Sequence, residues 1–215
     1  MRAFLDFVAR LFGAGGFRPV TGHESGPPER LEVDAAGWLI SSANVKVVRL
    51  PSVRSQRLTT PLGEPLAIIW HYTATKPGTA RSLAKRIQKY DPKKDRAASW
   101  HVVVERDGTV YQSVPFERGA WHCAKGVVDH HKMNACSVGI EVVGHGQPDD
   151  YPPVVVRALG EVVGAIRRAY PLVHRARAGL QHSTFDPARR SDAGLYFVER
   201  VLPLIIDEAF GAQPP

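Results

Sequence analysis

Apolar runs broken by short polar or Gly/Pro-rich stretches divide the chain into alternating strand and helix signals. Val45–Leu50 and Leu66–His71 are short, nearly continuous apolar runs, the pattern of buried strands. Ala80–Tyr90 carries its apolar residues at helical spacing, with Thr79 placed to cap it. Trp100–Glu105 and Thr109–Ser113 flank Arg106-Asp107-Gly108, which predicts a hairpin turning at Asp107-Gly108. Ser137–Val143 reads as another buried strand. Val154–Ala169 and Leu195–Ala209 are the long helical patterns, and Pro171 stops the first. Strands and helices mixed in this way predict an α/β fold: a central mixed β-sheet flanked by helices.

The N-terminus has a different texture. In Met1–Phe12, residues Phe4, Leu5, Val8, Leu11 and Phe12 form a helical apolar stripe. Asp6 and Arg10 interrupt any signal-peptide core, so cytoplasmic synthesis without a signal peptide is expected. The stripe suits a helix docked on the protein's own body; membrane contact through residues 1–12 is the less favoured alternative. Gly13–Pro28 reads as a linker. The expected division is residues 1–36 as helix and linker, and 37–215 as the main domain.

Composition narrows the function classes. A chain of 215 residues with 44% hydrophobic and 23% charged residues supports one domain with a core and a short appendage. No window approaches the roughly 18–20 uninterrupted apolar residues of a membrane helix, and a soluble protein is expected. The net charge of +7 suits an anionic partner: nucleic acid, a membrane surface or an acidic wall polymer. Without a basic recognition helix or an aromatic RNA-binding motif, nucleic acid is not expected. Two cysteines exclude a disulfide-rich scaffold and a four-cysteine zinc site. Cys123 and Cys136 could bridge, but two free thiols are the simpler reading.

Nine histidines invite a metal reading, yet HExxH and CxxC are both missing. His71 ends an apolar strand, and Asp192 follows His182 by ten residues. Each has an ordinary explanation: a hydrogen-bonded strand-end histidine, or an aspartate capping the helix that follows. Glu141 sits in an apolar strand, where a carboxylate must reach solvent or find an arginine.

Ile69-Trp70-His71-Tyr72-Thr73-Ala74-Thr75 resembles the first-ligand strand of the zinc-dependent N-acetylmuramoyl-L-alanine amidases, a family related to peptidoglycan recognition proteins. Ser99–Val104 with Arg106–Gln112 is similar to that family's central hairpin, and Ala120–Gly126 to its cleft loop. Asn134 with Ser137–Glu141 matches the strand bearing its acid residue, and His182–Gly194 the segment bearing its last two ligands. The motifs stand in the family's order.

The resemblance implies a peptidoglycan-recognition-protein-like amidase fold and one Zn2+ ion held by His71, His182 and Asp192. Two imidazoles and a carboxylate leave such an ion one open position. It further implies that Glu141 is the general base for the attacking water. Arg190 stands two residues before the third ligand, where relatives commonly carry lysine. Arginine can stabilise a developing oxyanion but cannot practically give up a proton. Trp100, where several relatives carry tyrosine, and His122, placed at the cleft rim, are the implied substrate contacts. The implied activity is hydrolysis of the amide between N-acetylmuramic acid and L-alanine, with peptidoglycan or muropeptides as partner and a monomer expected. A phage endolysin and a wall-recycling enzyme both fit. A non-catalytic peptidoglycan-recognition module would keep the groove without the metal, and retention of all three ligands with Glu141 argues against it.

Overall fold

In the computed structural model, which describes residues 26–88 and 98–212, the short apolar runs pair into a six-stranded sheet. Its strands are β1 (Val47–Arg49), β2 (Ala67–Tyr72), β3 (Val102–Val104), β4 (Val110–Gln112), β5 (Ser137–Val142) and β6 (Leu180–Gln181). Their spatial order is β6-β2-β5-β3-β4-β1. Neighbours run parallel except for the antiparallel β3–β4 hairpin, so the sheet is mixed as expected. The expected strands form within a residue or two of their expected ends. β6 carries no sequence signal, because two half-buried residues make no run. The N-terminal stripe at residues 1–12 and the end of the helix expected at 80–90 lie outside the described residues.

The helices are α1 (Ala80–Gln88), α2 (Pro153–Ala169), the single turn α3 (His182–Phe185) and α4 (Leu202–Phe210), which follows a π-helical turn over Phe197–Val201. Among the described residues no helix is long and apolar enough to cross a membrane.

Side-chain alternation sorts the two faces of the sheet. Ile68, Trp70, Val138 and Ile140 face a core completed by Val155, Leu159, Val162 and Ile166 of α2 and Ile205 of α4. Each large apolar side chain buried there contributes about 1.5–3 kcal/mol. Trp70 is fully buried, packs 5.0 Å from the Phe197 ring, and donates its indole N–H to the Ala178 carbonyl at 2.6 Å. On the opposite face Ile69 packs with Leu66, Cys123, Met133 and Cys136. Both cysteines are buried free thiols. Ala80 of α1 covers Val103 and Val143. Leu31 is fully buried and Glu32–Val33 pairs with Leu39–Ile40, so the packed body extends N-terminal to the boundary expected at Gly37.

The expected hairpin turn is present. Gly108 takes φ +81°, which favours glycine, and its N–H donates to the Glu105 carbonyl. Thr79 stands at the N-cap position, its carbonyl accepting the Leu83 N–H at 2.9 Å, but its side chain turns away from the helix. Its hydroxyl donates to the Lys76 carbonyl at 2.8 Å, while the Ala80 N–H is taken by the Glu105 carboxylate at 3.0 Å. The cap comes from the neighbouring hairpin, beyond the reach of a local sequence rule.

His101 fixes the floor of the second face. Its Nδ1 accepts the Gly139 N–H at 2.9 Å and its Nε2–H donates to the Arg118 carbonyl at 2.8 Å. A second proton would have to enter at Nδ1, against a donor, and burial pushes the ring down from 6.5 to about 4. Between those values the unfolded chain binds a proton that the folded one refuses, so stability falls as pH falls. On this account the protein is expected to be about 2 kcal/mol less stable at pH 5 than at pH 7. Denaturant unfolding of the parent and of His101→Gln checks this: the variant should lose that part of the slope, and an identical slope would place the proton elsewhere.

Candidate active site

The parallel register sets His71 of β2 directly beside Glu141 of β5, and Val103 beside Glu141 on β3. His71 and Glu141 thus stand side by side near the C-terminal ends of their strands, on the α1 face. β6 runs parallel to β2 and ends at Gln181, which delivers His182 at the start of α3 to the same sheet end. The chain then returns through residues 186–191, and the Ser183 N–H donates to the Asp192 carbonyl at 2.8 Å. Asp192 does not serve as the cap of the next helix. Its Oδ2 lies 2.9 Å from His71 Nδ1 and 3.0 Å from His182 Nδ1. The three residues are buried and their donor atoms all lie within 4.8 Å of one another. This group could hold a metal ion.

Burial opposes ionisation of Asp192, but the hydrogen bonds with His182 and His71 hold its carboxyl well below the usual carboxylate range. Burial lowers the basicity of His71 despite that aspartate, which favours the neutral ring a metal requires.

These residues open on a cavity of about 180 Å³, also lined by Glu141, Trp100, His122 and Arg190. Among the described residues, Glu141 Oε2 and Trp100 Nε1 are buried without a partner. Burial, reinforced by the Asp192 charge and partly offset by Arg190, pushes the Glu141 carboxyl up to about 8. An unpartnered buried acceptor and donor on one cavity wall are costly in isolation, and such costs concentrate where a ligand completes the pairing.

The neighbouring arginines differ. Arg189 is held by Asp186, whose buried carboxylate also takes Lys125 Nζ at 2.8 Å. The bonds from Arg189 and then Lys125 lower that carboxyl to about 2. Arg190 lines the cavity, and among the described residues its guanidinium makes no ion pair. The structure thus brings the residues singled out from the sequence together around one cavity. His122 lines the cavity but is buried and engaged with another cavity residue, its Nδ1 3.1 Å from His71 Nε2. Tyr72, Thr73 and Leu83 also line the cavity, and none was singled out. Adjacency to His71 was the available signal for the first two; Leu83 arrives from α1 through tertiary packing.

A family model described as N-acetylmuramoyl-L-alanine amidase matches residues 61–194, taking in His71, Glu141, His182 and Asp192. The 1,6-anhydro-N-acetylmuramyl-L-alanine amidase AmpD of Haemophilus influenzae is 30% identical over 100 residues, 46% of this chain and 53% of that protein. AmpD of Citrobacter freundii is 32% identical over 102 residues, 46% and 52% of the respective chains. The chain thus spans about half the length of the curated relatives it matches. Among solved structures, a selenomethionine AmpD derivative superposes with a TM-score of 0.60 at 24% identity, covering 79% of this chain and 98% of that one. The catalytic domain of XlyA superposes with a TM-score of 0.54 at 19% identity, covering 77% and 99%. With the fold shared and more than half of the sequence matched, the chain belongs to the N-acetylmuramoyl-L-alanine amidase family.

Proposed function

We propose that this protein is a zinc-dependent amidase that hydrolyses the amide bond between N-acetylmuramic acid and L-alanine. One observation carries the reading: the buried trio His71 Nδ1, His182 Nδ1 and Asp192 Oδ2 opens on a cavity holding the unpartnered Glu141 Oε2. Two imidazole nitrogens and a carboxylate oxygen suit zinc and leave it an open position. Bound there, zinc would acidify a water molecule and polarise the scissile carbonyl.

The chain's own residues supply the remaining roles. Glu141, raised towards the working range, takes the proton of the attacking water and returns it to the departing amine. Arg190 offers fixed donors to the carbonyl oxygen as it becomes an anion, and keeps the charge that lysine provides in relatives. Trp100 presents an indole face and an unused N–H to sugar or peptide. Similarity to the 1,6-anhydro-N-acetylmuramyl-L-alanine amidases favours 1,6-anhydro-muropeptides over intact wall as substrate.

The deciding experiment incubates the protein with soluble 1,6-anhydro-muropeptides and, separately, with intact sacculi, and identifies newly exposed amines. Free L-alanine N-termini from the soluble substrate are expected. Release from sacculi alone would make it a lytic enzyme, and no free L-alanine terminus from either would end the amidase reading.

Two further outcomes are expected. Asp192→Ala should lose bound zinc and activity while keeping its circular dichroism spectrum, since the sheet and both cores form without that side chain; full turnover by chelator-treated protein would contradict the metal's role. Arg190→Ala should lower kcat by about two to three decades, or about 3–4 kcal/mol of transition-state stabilisation, with zinc content unchanged. Arg190→Lys should retain more activity, and Glu141→Gln should be inactive with zinc bound. An Arg190→Ala enzyme turning over at the parent rate would reduce the residue to a surface arginine.

A further inference from the structure

His71 turns one ring nitrogen towards Asp192 and the other towards His122. A neutral imidazole carries one N–H and one lone pair. If Nδ1 is to offer its lone pair to a metal, the proton must sit on Nε2, and it then needs an acceptor. The atom facing it, at 3.1 Å, is His122 Nδ1. His122 can accept there only with its own proton on Nε2, which lies 3.4 Å from both the Ser137 carbonyl and its hydroxyl oxygen. The Ser137 hydroxyl in turn donates to the Met133 carbonyl at 2.6 Å. Every N–H and O–H along the line thus meets an acceptor, and the line ends on backbone.

The position of His122 is fixed independently of His71. Asn134 Oδ1 accepts both the His122 and the Cys123 N–H, at 2.9 and 2.7 Å, which anchors the loop that carries the ring. The ring itself stands against β5 where there is no side chain: a Cβ on Gly139 would come within 2.5 Å of His122 Cγ. It meets the His71 ring edge-on, with centroids 5.2 Å apart. Asn134 and Gly139 belong to the motif that carries Glu141, so one stretch of chain supplies the acid residue and the seat of this ring.

We infer that His122 is a positioning residue: it accepts the His71 Nε2–H and so presents the Nδ1 lone pair and ring angle of His71 to the metal. The inference rests on the reading of His71 as a metal ligand. Groups that orient a ligating imidazole in this way typically set metal affinity within about ten- to a hundred-fold.

The test measures zinc affinity of the full chain by competition with a chromophoric chelator, together with the visible spectrum of the Co(II)-loaded protein. The parent, His122→Leu and His122→Asn are compared, with circular dichroism confirming that each is folded. His122→Leu should bind zinc about ten- to a hundred-fold more weakly and shift the cobalt bands. His122→Asn, whose Oδ1 branches from Cγ as Nδ1 does, should recover most of the affinity and the parent spectrum. A leucine variant matching the parent in both readouts overturns the inference, as does a folded asparagine variant no better than leucine. A parent that takes up no zinc overturns the metal reading itself, and this inference with it.

Discussion

The parallel register between β2 and β5 is the constraint on which the rest of the structure depends. It aligns Ala67 with Ser137 and runs unbroken to Tyr72 with Val142. Successive side chains alternate between faces, so this register sends Trp70 and Ile140 into the α2–α4 core and sets His71 beside Glu141 on the other side. A slip of one residue would turn Trp70 into the cleft and an imidazole into an apolar core. The penalty of exposing such large side chains, about 1.5–3 kcal/mol each, makes the core the keeper of the cleft geometry.

Much of this was legible in the chain. The β-branched runs of β2, β3 and β5 and the stripe of α2 carry periods that survive folding, because each element buries the face its own sequence makes apolar. The Asp107-Gly108 turn was legible for a local reason, the need for φ above zero. What escaped was tertiary. β6 is defined only by its pairing with β2, and α1 is capped by Glu105 from another element. His71, His182 and Asp192 were legible as motifs but not as a site: His182 lies 111 positions after His71, and no spacing rule reaches that far. His122 shows the same limit, since sequence placed it in the right loop while its depth depends on Asn134 and Gly139.

Charge around the cleft is sorted by one buried carboxylate. Asp186 accepts Arg189 from its own segment and Lys125 from the loop across the cleft, joining two pieces of chain that border the cavity. Arg189 is engaged there, whereas the adjacent Arg190 lines the cavity. Two successive arginines thereby acquire different electrostatic surroundings: Arg189 is paired with a carboxylate, and Arg190 makes no ion pair among the described residues.

The two cysteines have a consequence for how such a fold is held. Cys123 donates to the Lys125 carbonyl at 3.1 Å and Cys136 to the His131 carbonyl at 3.6 Å, so each thiol is turned to its own backbone partner. Burial pushes Cys123 up to about 12 and Cys136 up to about 11, which keeps both as thiols rather than the nucleophilic thiolate. The fold contains no bond for a reductant to break, and its thiols present little for an oxidant to attack. The fold is therefore held without a disulfide, and its two thiols are spent on packing and backbone contacts.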